Sequence, residues 1–347
     1  MIYQKLIRPL LFRLDPEQAH HLAMDIARYT NHSDLLKALA HRLYAFDDER
    51  LHRVCDGLHF KNPIGIAAGF DKNGEIIEAL QALGFGYIEI GSVTARPSLG
   101  NPKPRMFRLP EDRALINRMG LNNLGVDVIV DCIDKSKLQI PLGINIAKTH
   151  DASIMGDAAI RDYVYSYEKA EIKADYIMVN ISCPNTAEEI TFEEEGPLKD
   201  LLGAIASSRK NPTVPMWIKF SPDVRFETLV KLVEISLQHG VSGFAVTNTS
   251  TDRSQLKTAP QKLKEIGRGG LSGTPLRHIA THMIRELRTL VPSEITLVGV
   301  GGIDSKDTAL ERIQAGANLL QVYTGLVYEG PGLVKNINQS LAISKNH

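Results

Sequence analysis

The stretch Val179–Thr186, VNISCPNT, ends an apolar run in Asn180, Ser182, Cys183 and Asn185, with Pro184 breaking the chain between the last two. A thiol in such company is a nucleophile, a proton acceptor or a small buried side chain. The polar neighbours of Cys183 weigh against the last. Similar endings recur along the chain: Asp71 and Lys72, Ser92 and Thr94, Asn145, Lys219 and Ser221, Thr247 with Asn248 and Thr249, then Gly301, Gly302, Tyr323 and Thr324. Amides outnumber carboxylates in this set. An Asn side chain offers two donors and one acceptor oxygen, which suits a flat heterocycle with alternating C=O and N–H, such as a pyrimidine or a flavin. So few acidic groups speak against a divalent-metal cluster or a two-carboxylate glycosidase. A single Asn often only ends a strand or caps a helix, but amides at the ends of several strands argue for a shared pocket.

Two further motifs carry chemistry. Gly301 and Gly302 in VGVGGID remove side chains where backbone N–H groups must approach an anion, and GRGGLSG adds a second glycine-lined edge with Gly273. Their placement near the last strands favours phosphate binding over plain tight turns. Lys219 in WIKFSPD has three readings: a Schiff-base lysine, a structural ion-pair member, or a fixed cation beside a cofactor.

Elements must exist to bring these groups together. Eight short apolar runs begin at Ile64, Tyr87, Leu142, Tyr176, Met216, Gly243, Thr296 and Leu319. Between most of them lie segments of helical period, such as GEIIEALQALG and FETLVKLVEISLQHG. Continuous rather than alternating apolar strands predict a parallel sheet covered by helices. Eight such units predict an α/β (β/α)8 TIM barrel, with a doubly wound sheet as the alternative. The 92–141 connection exceeds one helix and is rich in Pro, Arg and Asn, so it is expected to overhang the C-terminal face. RVCDGLHFKNP reads as a hairpin closing the barrel floor.

The 347 residues are 43% hydrophobic, enough for a large core. Lys+Arg and Asp+Glu number 40 each, which gives no sign of nucleic acid as partner. The three cysteines, Cys55, Cys132 and Cys183, are scattered, arguing against a disulfide framework or a zinc site. No run approaches the ~20 apolar residues of a membrane span, and the first residues do not read as a signal peptide.

Residues 1–46 fall outside the repeat and are assigned to an N-terminal helical extension, with 47–347 as the catalytic barrel. Ala19, Leu22, Ala23, Ile26 and Ala27 follow helical spacing after Pro16, as do Leu35, Leu36, Leu39, Ala40 and Leu43 after a cap at Ser33. Six Lys/Arg stand against four Asp/Glu here. The segment is read either as a helical cap on the barrel or as a surface lying in a membrane interface.

The motifs AAGFDKNGE, GFGYIEIGSVTARPSLGNPKPRMFRL, LINRMGLNNLGVD, LGINIAK, NISCPNT, TNTSTDR, GGLSGTPL and GVGGIDS together resemble the dihydroorotate dehydrogenase family, through nearly the whole chain. The opening LFRLDPEQAH and the helical extension resemble the membrane-associated, quinone-reducing class 2. The resemblance implies FMN at the barrel top, with Ala68, Gly69, Lys72, Ser92, Asn145, Asn180, Lys219, Thr247, Gly273, Gly302, Tyr323 and Thr324 on the flavin. It implies Lys72, Asn117, Arg118, Met119, Gly120, Leu121, Asn180, Asn185, Asn248 and Thr249 on dihydroorotate, and Cys183 as catalytic base. The implied reaction takes a proton from C5 and a hydride from C6, gives orotate for pyrimidine biosynthesis, and reoxidises the flavin with a quinone entering between the N-terminal helices. The implied location is peripheral, on the cytoplasmic face of a bacterial inner membrane.

The sequence departs from class 2 in two places. Class 2 enzymes usually carry Ser where this chain has Cys183, which is the class 1 residue. The following AEEITFEEEG, expected to be the lid, lacks the Gly-Leu-Arg that usually follows the motif. The thiol raises a second reading, the same half-reaction with a soluble acceptor such as fumarate. A third class, a barrel lyase or aldolase using Lys219 or a phosphoribosyl-ligand binding protein, would lack the yellow colour of a flavoprotein.

Overall fold

The computed structural model describes residues 2–182 and 192–344. Its strands, in chain order, are β1 (Arg53–Cys55), β2 (Leu58–Phe60), β3 (Ile64–Ile66), β4 (Tyr87–Val93), β5 (Met106–Leu109), β6 (Ala114–Asn117), β7 (Leu142–Ile146), β8 (Tyr176–Asn180), β9 (Met216–Phe220), β10 (Gly243–Val246), β11 (Gly270–Gly273), β12 (Thr296–Val300) and β13 (Leu319–Val322). Eight of them close a parallel barrel in the order β3, β4, β7, β8, β9, β10, β12, β13, with β13 pairing back onto β3. That closure rules out the doubly wound alternative. These eight are the apolar runs read from the sequence.

Side-chain alternation divides each barrel strand between two cores. Ile64, Ile88, Ile90, Leu142, Ile144, Ile177, Val179, Ile218, Phe244 and Leu320 face outward into one cluster beneath the helices. Tyr87, Tyr176, Met178, Trp217, Ala245, Val298 and Leu319 face inward into a second. Both faces are buried, so the strands read as continuous apolar runs.

The lower interior is filled by size complementarity between paired strands. Gly65 pairs with Tyr87, Gly143 with Tyr176 and Gly243 with Trp217. A Cβ on these glycines would stand 2.4, 2.1 and 2.5 Å from the partner's side chain. The glycine is the space that the aromatic ring occupies. The β1–β2 hairpin closes this end, adding Cys55 and Phe60 to the inner cluster. At its turn, Asp56 accepts hydrogen bonds from Trp217 Nε1 (2.7 Å) and Thr296 Oγ1 (2.9 Å).

The 92–141 connection contributes β5 and β6, which join β11 in a three-stranded antiparallel sheet at the opposite end. The extension forms the helices Pro16–Asn31 and Asp34–Tyr44, the first capped by Asp15 and the second by Ser33. Its anchorage is largely polar: Tyr3 donates to Val327 O, Arg8 to Tyr328 O, Arg28 pairs with Glu75 and Lys37 with Glu78. Ala19 and Met24 are buried, but most of the larger side chains of the two apolar stripes face solvent. Ile26, Leu35, Leu39 and Leu43 are 60, 79, 51 and 52% exposed, and the second helix buries none of its residues.

Asp56→Ala leaves the Trp217 indole N–H without its acceptor at the barrel floor. It is expected to lower unfolding stability by about 2 kcal/mol, seen as a reduced urea midpoint at unchanged slope. An unchanged midpoint would show that the hairpin turn contributes nothing to closing the floor.

Candidate active site

Above the aromatic floor, the inward positions of the strands turn polar. Glu89 on β4, Asn145 on β7, Asn180 on β8, Lys219 on β9 and Gln321 on β13 are all buried, as is Thr247 just after β10. Alternation fixes this: Tyr87, Tyr176, Trp217 and Leu319 sit two or four residues below Glu89, Asn180, Lys219 and Gln321 on the same strand faces. The groups open into a cleft whose empty space, open solvent included, is about 1190 Å³.

All twelve residues expected on the cofactor line that cavity: Ala68, Gly69, Lys72, Ser92, Asn145, Asn180, Lys219, Thr247, Gly273, Gly302, Tyr323 and Thr324. So do Asn117, Met119, Gly120, Leu121, Asn248 and Thr249 from the substrate set. Arg118 does not line it. Its guanidinium donates to the carbonyls of Ile266, Arg268 and Pro104 and lies over the Phe107 ring, 4.7 Å from the centroid. Asn117 and Met119 flank it in the cavity, so the arginine braces the overhanging sheet from outside. Cys183 and Asn185 lie outside the described residues, as do residues 187–191, half of the expected lid.

The amides form a directed hydrogen-bond chain. Asn145 Nδ2 donates to Glu89 (2.9 Å), and Asn145 Oδ1 accepts from Ser92 Oγ (2.5 Å). Ser92 Oγ accepts from Asn180 Nδ2 (3.2 Å), and Asn180 Oδ1 accepts from Asn248 Nδ2 (3.1 Å). At the far end Asn248 is held by its own bonds, Oδ1 accepting from Thr249 N (2.8 Å) and Nδ2 reaching Ser182 O (3.1 Å).

Three polar groups are left for a ligand. Thr247 Oγ1 and Gln321 Oε1 are buried with no partner among the described residues. The ammonium of Lys219 has no hydrogen bond there either; burial pulls its pKa down while the negative Glu89 opposes that. A buried unpaired group costs about 1–3 kcal/mol, so the cavity is complementary to a molecule with a polar, hydrogen-bonding edge. Lys72 donates to Gly69 O (2.9 Å), and burial together with the charge of Arg105 draws its ammonium down to about 8.

The opposite side of the cavity is built of glycine. Gly273 and Gly302 adopt φ of +101° and +71°, and a Cβ would stand 2.5 Å from Arg113 O and 2.8 Å from Arg277 Cα. Gly301 and Gly325 complete an edge where only backbone faces the space. This fits a phosphate-bearing ligand, with the polar heterocycle at the amide and lysine end. The lining therefore fits a ligand with a polar heterocycle at one end and an anionic group at the other.

Sequence reading missed Glu89 and Gln321. The signal was present: a charged residue and an amide inside apolar runs that are buried on both faces must be partnered.

The extension reaches the cavity mouth. Glu17, 3% exposed, accepts from Arg105 Nη2 (2.8 Å), and Arg105 also donates to Leu99 O and Asn101 O. His20 packs edge-on to Phe70 at 5.3 Å, and Phe70 edge-on to Tyr323 at 5.6 Å. Burial raises the Glu17 carboxyl, but the hydrogen bonds and charge of Arg105, with Lys103, more than offset it and leave its pKa lowered.

A lowered carboxylate pKa stabilises the folded state above the ordinary value of 4.5, and the gain is lost as pH falls through the lowered value. Limited proteolysis within the first 16 residues is thus expected to be slow at neutral pH and to accelerate on acidification. Glu17→Ala leaves Arg105 without its counter-ion, costs about 3 kcal/mol of docking, and should give fast cleavage at every pH. Identical cleavage rates in parent and variant would sink the role of this pair.

Residues 50–344 match the family described as dihydroorotate dehydrogenase. Proteins named dihydroorotate dehydrogenase (quinone) are similar over almost their whole length. That of Legionella pneumophila (strain Corby) is 41% identical, covering 97% of this chain and 98% of the relative. That of Proteus mirabilis is 42% identical, covering 97 and 99%. Among solved structures, the DHODH of Eimeria tenella in complex with ferulenol superposes with a TM-score of 0.84 at 30% identity, covering 96% of this chain and 92% of that one.

Proposed function

The chain belongs to the dihydroorotate dehydrogenase family, and from that membership we propose how its cavity works as a quinone-linked dihydroorotate dehydrogenase in pyrimidine synthesis. The carrying observation is one cavity lined by buried amides, a buried lysine and a glycine edge. The cofactor of this oxidoreductase is a flavin, and the glycine edge of Gly273, Gly301 and Gly302 supports FMN as its form. When bound, the flavin supplies a two-electron acceptor that takes the substrate hydride and returns electrons to the quinone.

The chain's own residues do the rest. Lys219 places a fixed positive charge among the amides, which favours a ligand that gains negative charge on reduction. Asn180, Asn248 and Thr249 with Asn117 hold the flat ring of dihydroorotate by its amide edges. Lys72 supplies a cation for the substrate carboxylate. Cys183 accepts the C5 proton as the C6 hydride leaves, giving orotate. This role rests on the position of Cys183 in NISCPNT, three residues after Asn180. Asn185 belongs to the same substrate set by its place in that motif.

The acceptor reaches the site from the side of the extension, where His20 and Phe70 lead to Tyr323. The outward leucines of the two helices lie in the membrane interface, and the enzyme is peripheral on the cytoplasmic face of a bacterial inner membrane. No helix among the described residues is long and apolar enough to cross a membrane. No cluster of metal-ligating side chains occurs among them either.

Steady-state turnover of dihydroorotate against a quinone and against fumarate, in parallel, tests the reading. The expected result is a yellow protein that releases FMN on denaturation and turns over with quinone. A colourless protein or turnover with fumarate alone would overturn it.

The base assignment has its own test. A thiol has a reference pKa of ~8.5, far below that of a serine hydroxyl. Cys183→Ser is expected to keep measurable activity, with the rise of flavin reduction displaced to higher pH in stopped-flow profiles. A profile unchanged by the substitution would remove Cys183 from the proton transfer.

A further inference from the structure

Glu89 is a buried carboxylate in the barrel interior that the reaction outlined above does not use. It is fully buried, and its two oxygens accept three hydrogen bonds: from Asn145 Nδ2 (2.9 Å), from Tyr176 OH (3.1 Å) and from Gln321 Nε2 (2.6 Å). An ionised carboxylate accepts and cannot donate. Both amides must therefore turn their nitrogen toward Glu89 and their oxygen away from it. For Gln321 this leaves Oε1 buried and unpartnered on a residue that lines the cavity. For Asn145 it leaves Oδ1 for Ser92 Oγ, which begins the directed chain to Asn180 and Asn248.

We propose that Glu89 is a positioning residue that sets the donor–acceptor polarity of the cavity and balances the charge of Lys219, so that its carboxylate tunes the redox poise of a flavin bound above it. The inference rests on the flavin reading of the same cavity.

The neutral isostere makes the consequence concrete. In Glu89→Gln one carboxylate oxygen becomes an NH₂ group. The Asn145 end of the chain is held from the other side, because Asn248 is fixed by Thr249 N and Ser182 O and passes its orientation to Asn180 and Ser92. Gln321 is not fixed in that way: besides Glu89 its side chain meets the hydroxyls of Tyr87 and Tyr176, and a hydroxyl accepts as well as donates. The Gln321 amide is free to reverse, turning a donor toward the cavity where the parent shows an acceptor. The same substitution removes the negative charge near Lys219, and the added net positive charge stabilises a reduced, anionic ring over the oxidised one.

The test uses the full-length protein with its natural flavin. The bound flavin's midpoint potential, visible spectrum and dissociation constant are measured for the parent, Glu89→Gln and Gln321→Met, alongside kcat and KM. Glu89→Gln is expected to raise the ratio of reduced to oxidised flavin affinity about tenfold, which for a two-electron couple is a positive shift of about 30 mV. Its visible band should move as well. Gln321→Met removes the cavity acceptor while Glu89 keeps its charge, so it is expected to weaken oxidised-flavin binding about tenfold with a smaller potential shift. A purely structural Glu89 would lower flavin content without moving the potential of the flavin that remains bound. An unchanged potential in folded, yellow Glu89→Gln protein overturns the proposal. If that variant does not fold, flavin affinity in Gln321→Met equal to the parent's overturns it. A parent that carries no flavin overturns the functional reading, and this inference falls with it.

Discussion

The interior of a closed barrel has to change from dry to polar at some height, and here the change happens at Glu89. Below it lie rings with little hydrogen-bonding capacity to spare: Tyr87 gives its hydroxyl to Leu320 O and Trp217 gives its N–H to Asp56. Above it lie the amides and Lys219. A lone carboxylate at that depth would be prohibitively costly. It is tolerated because three donors converge on it and a buried ammonium shares the interior. The orientation of the Asn145 and Gln321 amides follows from satisfying that one anion.

The aromatic floor makes this arrangement rigid. Each large ring occupies space vacated by a glycine on the neighbouring strand, so no ring can shift without striking backbone. Tyr176 belongs both to this layer, stacked on Trp217 at 4.1 Å, and to the set of donors on Glu89. Packing below and hydrogen bonding above are thereby joined in a single side chain. Sites held this way keep their geometry through side-chain support and not through loop order.

Much of this was legible in the sequence, for a physical reason. Strands buried on both faces must be continuously apolar, so the eight runs stood out, and the polar residues at their ends had nowhere to point but a common pocket. What escaped was Glu89 inside YIEIGSV and Gln321 inside LLQVYTG. Each sits among apolar neighbours, and only three-dimensional pairing shows them facing one another. Arg118 illustrates the opposite limit. Its backbone neighbours line the cavity, but its long side chain finds carbonyl partners behind the sheet, which sequence position cannot reveal. The helical stripes of the extension were readable as amphipathic. Their outward direction was not, because periodicity names a face without saying what lies against it.

That outward direction has an energetic meaning. Burying a Leu or Ile side chain is worth roughly 1.5–3 kcal/mol, and Ile26, Leu35, Leu39 and Leu43 forgo most of it in water. The extension instead holds to the barrel through carbonyl hydrogen bonds and the pairs Arg28–Glu75, Lys37–Glu78 and Glu17–Arg105. Polar attachment inward and apolar exposure outward is the reverse of how a helix ordinarily docks on a globular core. The arrangement makes sense when the outer medium is itself apolar and the partner to be admitted is a lipophilic quinone. On the proposed reading the same helices serve as both anchor and entrance, because His20 and Phe70 place the inner side of the first helix against Tyr323 at the wall of the cavity.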